Sequence, residues 1–312
     1  MDTAIDGLHH VTAIASDAHA TTGFYRRLLG LRLVKQTVNH DDPETMHLYF
    51  GDDRGTPGSP MTFFVGTDEE REDGRFGAGQ TSEVAFAIPS SALSFWEERL
   101  GDASVDVERV RRFGEEALLF EDPDGISLSL VADDGAPDEA YQPWGDSEVA
   151  GEHQIMGFYG VVLALADVAD TAALLAETMG YEAVEDDGDT HRLRAACEGR
   201  AAAIELQPTP APRGVMGPGT VHHIAFRVPD EEALLTWRQR LIDADLSPTD
   251  PIDRHYFTSI YAREPGGVLF EFATEGPGFD RDEPTDEIGE SLVLPPQLED
   301  RRQELQELLP TL

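Results

Sequence analysis

The stretch IAFRVPDEEALLTWRQRL at 224–241 repeats the pattern of VAFAIPSSALSFWEERL at 84–100. Each copy has a short apolar run, a proline and then apolar residues in three-then-four steps, which predict a strand followed by a helix with one apolar face. The apolar helix positions are Leu93, Trp96 and Leu100 in one copy and Leu234, Trp237 and Leu241 in the other. Both copies later reach a turn signal and a final apolar run, at 119–131 and 261–273, which predicts a hairpin.

Two weaker copies of the unit are VTAIASDAHATTGFYRRLLGL (11–31) and VVLALADVADTAALLAETMGY (161–181). We therefore predict an α+β fold of four modules, each with one strand, one helix and three strands (βαβββ), at about 7–65, 81–132, 154–207 and 220–274. The modules predict two halves, 1–132 and 154–274, separated by a polar linker at 133–153 that is rich in turn formers. An acidic tail follows at 275–312 and ends in a short amphipathic helix.

The chain is strongly acidic, with a net charge of −38, 61 acidic side chains and a single lysine, Lys35. Such a surface repels nucleic acid and anionic membranes, which both require basic patches. The spread of the acids along the chain favours a solubility device for a very salty, halophilic cytoplasm over a separate interaction tail. One cysteine, Cys197, and the lack of an apolar segment of membrane length or signal-peptide type predict a reducing, cytoplasmic setting.

Two His-His pairs supply the candidate chemistry: GLHHVTAIASD (7–17) contains His9 and His10, and TVHHIAFRVPD (220–230) contains His222 and His223. The final run of the fourth module also carries an acid, Glu271, and a buried carboxylate is costly unless it is paired or bound to a metal. Alignment of the four modules leaves three candidate metal ligands: His10, His223 and Glu271. Two histidines and one carboxylate with open positions form the facial triad of non-heme Fe(II) oxygenases.

Strand alternation predicts which side chains face the metal. Ile224 and Phe226 share one face of their strand and His223 the other, while Glu271 alternates with large aromatics in the same way. His223 and Glu271 are thus expected on one cavity face. Alternation directs His9 and His222 away from their neighbours. From the residues alone, two interpretations remain open for them: ligands in place of their neighbours, or no role.

Four further segments strengthen a family resemblance: LHHVT (8–12), HLYFGDDRGTPGSPMTFF (47–64), VHHIAF (221–226) and RHYFTSIYAREPGGVLFEFAT (254–274). With them the chain resembles the vicinal oxygen chelate superfamily (glyoxalase, bleomycin resistance and dioxygenase proteins) and within it the hydroquinone and chlorohydroquinone ring-cleaving dioxygenases. The resemblance implies paired modules that curl into open sheets around a metal. It implies Fe(II), with Mn(II) as the alternative, and a small aromatic substrate with O₂. A homo-oligomer is compatible with it.

The resemblance also implies roles near the metal. Tyr261 would donate a hydrogen bond to a substrate oxyanion, and Arg254 would hold a phenolate or the polar product, although a surface arginine in a polar turn is the plainer interpretation of Arg254. His9 and His222 would assist as hydrogen-bonding groups. The remaining histidines without comparable partners are assigned structural roles: His40, His47, His153 and His191.

The expected activity is Fe(II)-dependent extradiol-type cleavage of hydroquinone or a substituted, for example chlorinated, hydroquinone. A glyoxalase-type isomerase is the first alternative, but it normally takes a fourth ligand from an acid in the last strand of the other module, and SPMTFFVG (59–66) has none. The second alternative is a protein without enzymatic activity that sequesters a quinone or drug in the same cavity.

Overall fold

A computed structural model describes residues 5–66, 74–135, 140–196 and 201–312. Cys197 and parts of the linker lie outside the described residues. In the first module the strands are β1 (Leu8–Ala15), β2 (Arg32–Asn39), β3 (Asp42–Gly51) and β4 (Met61–Val65). The second has β5 (Gln80–Ile88), β6 (Glu108–Arg112), β7 (Glu115–Glu121) and β8 (Ser127–Ala132). The third has β9 (Phe158–Leu165), β10 (Tyr181–Asp187), β11 (Thr190–Ala195) and β12 (Ala203–Pro208). The fourth has β13 (Thr220–Val228), β14 (Ile252–Asp253), β15 (Phe257–Arg263) and β16 (Leu269–Pro277).

Each module contributes a helix after its first strand, and the tail adds one more. These helices are α1 (Ala18–Thr22), α2 (Leu93–Asp102), α3 (Ala169–Ala173), α4 (Glu231–Asp243) and α5 (Arg302–Leu308). The helices α1 and α3 continue as wider π-helical turns over Gly23–Leu28 and Leu174–Thr178. None of the described helices is long and apolar enough to span a membrane.

The strands form two sheets of eight, and each sheet combines two modules. Sheet one has the order β14-β15-β16-β13-β1-β4-β3-β2 and joins the fourth module to the first. Sheet two has the order β10-β11-β12-β9-β5-β8-β7-β6 and joins the third to the second. The predicted class of paired βαβββ modules in two curled sheets is confirmed. Since each sheet draws one module from either side of the linker, the division into sequence halves stays a prediction.

The apolar face of the fourth module packs as the helix spacing predicts. Phe272 stacks on Trp237 of α4 with ring centroids 5.4 Å apart, and Phe226 meets Phe270 edge to face at 4.9 Å. Asp230 caps α4 by accepting a hydrogen bond of 2.9 Å from the Ala233 amide. Large aromatics on this face bury apolar area worth about 2–3 kcal/mol each, so the small and ionisable side chains are left for the concave face.

Candidate metal centre

Three buried side chains converge on the concave face of sheet one. His10 on β1 pairs with Ala225 on β13, and Ala225 pairs with Glu271 on β16. Paired residues on neighbouring strands share a face, so this register brings the three candidate ligands together. The Nε2 atom of His223 lies 2.8 Å from Glu271 Oε2, and His10 Nε2 lies 3.4 Å from the same oxygen. The two Nε2 atoms are 3.3 Å apart.

The donor atoms of this cluster fit a divalent cation. Ser259 Oγ donates to Glu271 Oε1 at 2.5 Å, whereas the buried Glu271 Oε2 faces the two Nε2 atoms and accepts no hydrogen bond of good geometry from the described residues. Burial acts to raise the pKa of Glu271, but His10 and His223 hold it well below its ordinary value, so the carboxylate is ionised. An ionised oxygen and two imidazole nitrogens lie within 4.8 Å of one another. His10, His223 and Glu271 can therefore hold a metal ion.

His9 and His222 lie beside the cluster because two β-bulges interrupt the β1–β13 pairing. The pairs Leu8↔Phe226 and His10↔Ala225 leave His9 as an extra residue. A second shift, between Thr12 and Ala13, leaves His222 as the extra residue on the other strand. A bulge re-aims side chains, so strict alternation fails at both positions and neither imidazole is carried to the far face of the sheet.

The two extra histidines contact their neighbours through ring nitrogens. The Nδ1 atoms of His9 and His10 are 2.9 Å apart, and those of His222 and His223 are 2.7 Å apart. Burial lowers the pKa of His9 to about 3, and burial likewise lowers that of His222 to about 3. Both rings are therefore neutral at pH 7. A hydrogen bond at Nδ1 fixes a ligand's tautomer and leaves its Nε2 lone pair free for a metal.

A cavity of about 400 Å³ opens over the cluster. Its wall includes the three cluster residues and His222, whereas His9 lines a smaller cavity of about 170 Å³ around Phe257 and Tyr256. The remaining lining residues of the larger cavity are Ile14, Asn39, His40, Asp41, Thr45, His47, Tyr49, Phe64, Thr249, Ile252, Arg254, Phe257, Tyr261 and Leu269. Its size and mixed lining suit a small aromatic molecule with polar substituents.

Tyr261 and Arg254 both lie on this cavity wall. Tyr261 pairs with Glu271 across β15 and β16, and its hydroxyl accepts a hydrogen bond of 3.1 Å from Arg254 Nε. Arg254 Nη1 is 2.9 Å from Asp41 Oδ2, and only 16% of the Arg254 side chain is exposed. Burial, followed by the charge of Glu271, raises the pKa of Tyr261 well above its ordinary value. Arg254 is thus a cavity residue and not a free surface arginine.

Sequence reasoning missed a second polar group on the cavity wall. His47 on β3 is within 3.0 Å of Tyr49 Oη through Nδ1 and within 2.9 Å of Thr62 Oγ1 through Nε2. His40 also lines the cavity. The only available signal was the position of His47 in the family segment 47–64, because strand alternation in β3 could not show which neighbours it would meet. His153 stacks on Phe95, and His191 pairs with Asp186 at the surface.

Sheet two carries bulges at the same places, but arginines fill its concave face. In sheet two, Glu83, Ser129 and Gly160 occupy the positions that His223, Glu271 and His10 occupy in sheet one. Glu205 occupies the position of Thr62 in the first module. Arg192 binds Glu205 at 2.8 Å and Glu115 at 2.7 Å, and Arg112 binds Glu83. These carboxylates are neutralised by guanidinium groups, so the donor set for a metal is confined to sheet one among the described residues.

Comparisons with known proteins identify the family of this chain. The model of the Glyoxalase/Bleomycin resistance protein/Dioxygenase superfamily matches residues 7–130 and 89–272. MhqO of Bacillus subtilis, which is named as a ring-cleaving dioxygenase, is 43% identical over 305 residues, covering 97% of this chain and 96% of MhqO. The chlorohydroquinone/hydroquinone 1,2-dioxygenase of Sphingobium indicum is 34% identical over 310 residues, covering 96% of this chain and 95% of that enzyme.

Solved structures extend the comparison to the fold. A Bacillus subtilis protein named as a dioxygenase superposes with a TM-score of 0.93 at 41% identity, covering 99% of this chain and 97% of that one. Glyoxalase I from Zea mays shares only the fold, with a TM-score of 0.61 at 14% identity over 86% of this chain and 92% of that one. The chain therefore belongs to the Glyoxalase/Bleomycin resistance protein/Dioxygenase superfamily and is an enzyme related to ring-cleaving dioxygenases.

Proposed function

We propose that this protein cleaves the ring of hydroquinone or a substituted hydroquinone with O₂, using Fe(II) held by His10, His223 and Glu271. The convergence of these three buried ligand atoms below an aromatic-sized cavity carries the proposal. These three residues would hold the metal on one side and would leave its other side open to the cavity. Bound Fe(II) would supply the electronic coupling between the aromatic ring and O₂. The name of the Sphingobium indicum relative supports the hydroquinone class.

The protein's own groups orient the substrate. A hydroquinone has para hydroxyls, so only one of them can reach the metal, and its orientation depends on side chains. Tyr261 and His222 stand beside the cluster, and Arg254 adds a positive charge close to the Tyr261 hydroxyl. We assign Tyr261 and Arg254 to holding the substrate oxygen and its developing negative charge. His9 and His222 hold the tautomers of the ligand histidines.

The isomerase alternative lacks its fourth ligand in this site. Thr62 of β4 occupies the place in the first module that Glu271 occupies in the fourth, since Thr12↔Thr62 and Ala225↔Glu271 are equivalent pairs. Thr62 Oγ1 is within 2.7 Å of Thr12 Oγ1 and within 2.9 Å of His47 Nε2. A neutral hydroxyl engaged in this way is a poor metal ligand, which favours the dioxygenase.

Oxygen consumption tests the proposal. The purified protein is stripped of metal, reconstituted anaerobically with Fe(II) or with Mn(II), and mixed with hydroquinone, chlorohydroquinone or catechol in air-saturated buffer. We expect one O₂ consumed per hydroquinone with Fe(II), and a ring-opened product of the substrate mass plus both oxygen atoms. Turnover of catechol alone would refute the substrate class, and turnover with Mn(II) alone would refute the iron assignment. Binding of all three aromatics without O₂ uptake would indicate the sequestering alternative.

A further inference from the structure

The C-terminal tail contains a segment, residues 278–294, that contacts both ends of the strand order of sheet one; we call it the strap. The strap begins beside β15, where the Gly278 amide donates to Tyr256 O at 2.9 Å. It ends on β2, where the Val293 amide donates to Gln36 O at 2.9 Å. Because β2 is one edge of the sheet and β14–β15 form the other, the strap ties the two edges together. Its Phe279 packs against the cavity residue Tyr49 at 5.0 Å between ring centroids.

Lys35, the only lysine in the chain, fastens this strap. Its side chain is 0% exposed, and Nζ donates to Asp282 Oδ1 at 2.8 Å and also to Glu283 Oε2. The ammonium group lies 4.8 Å from the centroid of the Tyr256 ring. A buried charge is tolerated only when it is paired and hydrogen-bonded, so these contacts make the docking of the strap a requirement of the folded first module.

The second oxygen of Asp282 reaches the loop that supplies two cavity residues. Asp282 Oδ2 accepts a hydrogen bond of 3.0 Å from Tyr256 Oη and lies 3.0 Å from His255 Nε2. His255 has φ of 71°, a left-handed conformation that costs a non-glycine residue roughly 1 kcal/mol or more. The contact with Asp282 therefore helps to hold an unfavourable backbone.

The two residues that flank this strained turn line the cavity over the metal cluster. Arg254 and Phe257 line the cavity, and the Arg254 amide donates to Phe257 O at 2.9 Å. Phe257 packs against His10, with ring centroids 5.1 Å apart. A shift of the turn would therefore move the guanidinium that binds Tyr261 and the ring that supports a candidate ligand.

We propose that Asp282, fixed by Lys35, is a positioning residue that holds the Arg254–Phe257 turn in place for the ring-cleavage reaction. Asp282 acts through Arg254 and Phe257 and touches neither substrate nor metal. Its effect on turnover rests on the proposed function, whereas its effect on the turn does not. The strap thereby makes the C-terminal tail part of the site.

Hydrogen exchange of the metal-free protein tests the structural step. Asp282→Asn removes the charge and keeps the side-chain shape, and Asp280→Asn is the matched control, since Asp280 is an exposed strap residue two positions away. We expect exchange of the Arg254 and Gly278 amides to accelerate about tenfold or more in Asp282→Asn alone. Amides of β1 and β13 should stay unchanged. Equal exchange in both variants, or acceleration throughout the protein, would overturn the proposal.

Kinetics of the Fe(II)-loaded protein test the functional step. In Asp282→Asn we expect kcat/KM for hydroquinone to fall about tenfold at unchanged iron content, and Asp280→Asn to match the wild type. If Asp282→Asn does not fold, Tyr256→Phe removes one of the same hydrogen bonds and should accelerate exchange at the Arg254 amide. Altered exchange with unaltered kcat/KM would refute the positioning role. If the wild type cleaves no ring, the proposed function is refuted. The hydrogen-exchange result would then still show whether Asp282 holds the Arg254–Phe257 turn.

Discussion

Replacement of Tyr261 by phenylalanine should separate hydroquinone cleavage from catechol cleavage. The hydroxyl is partly buried and accepts a 3.1 Å hydrogen bond from Arg254 Nε, while Arg254 keeps its ion pair with Asp41 at 2.9 Å. The folded state therefore loses only about 1 kcal/mol. A donor to charge that develops in the transition state is worth about 2–4 kcal/mol. We expect kcat/KM for hydroquinone to fall about a hundredfold.

The assay is initial-rate oxygen uptake of the Fe(II)-loaded protein with hydroquinone and with catechol. Catechol can chelate through two adjacent oxygens, so we expect its kcat/KM to fall less than about tenfold in Tyr261→Phe. Tyr159→Phe is the matched control, since Tyr159 Oη donates to Glu115 at 2.7 Å in sheet two, away from the cavity. It should lose stability and keep its kinetics. Equal losses with both substrates in Tyr261→Phe, or none with hydroquinone, would refute the assigned role.

Two further predictions concern stability. The chain has 61 acidic side chains and 23 basic ones, so its negative charges repel one another in dilute buffer. The Tm measured by calorimetry should therefore rise as KCl increases from about 0.1 M to molar concentrations, where this repulsion is screened. A Tm that does not change with KCl would contradict the halophilic interpretation. Burial holds the pKa of His9 at about 3 in the folded chain, below its ordinary value of about 6.5. The unfolded chain therefore takes up the proton first as pH falls, and His9 should account for a loss of about 2–3 kcal/mol of unfolding free energy between about pH 6.5 and 4.5. Denaturant titrations of the metal-free protein should show a shallower pH slope in His9→Gln, and an unchanged slope would show that His9 is not held neutral.

Local periodicity was enough to predict the modules and the candidate ligands. The three-then-four spacing of Leu234, Trp237 and Leu241 identified the buried face of α4. Alternation around His223 and Glu271 assigned both side chains to the opposite, concave face, where the structure places them. These features depend on the periodicity of side chains along a helix or strand, which can be recognised from the local sequence alone.

The bulges and the pairing of modules depend on contacts between distant segments. His9 and His222 were expected to point away, because nothing in either strand alone shows where the β1–β13 register shifts. The choice of modules in sheet one is likewise set by strand pairing more than two hundred residues apart, for example between Leu8 and Phe226. Alternation arguments therefore hold within a strand and fail where its partner sets the geometry.

The strap escaped prediction because its polar, acidic sequence has no periodicity. One signal was present in composition. Lys35 is the only lysine and stands between the apolar residues Val34 and Val38 in LRLVKQTV (31–38), and a buried ammonium group requires acidic partners. The partners, Asp282 and Glu283, are two among 61 acids, so the sequence could not identify them.

Metal binding by the isolated protein tests the central assignment most directly. Three metal-free proteins are titrated anaerobically with Fe(II) in a calorimeter: the wild type, Glu271→Gln and the control Glu275→Gln. Glu275 is an acid on the same strand as Glu271, and it is paired with Arg227. We expect one tight Fe(II) per chain for the wild type and for Glu275→Gln, and a loss of at least about a hundredfold in affinity for Glu271→Gln, while all three remain folded. Undiminished Fe(II) binding by Glu271→Gln would contradict the assignment of Glu271 as a metal ligand.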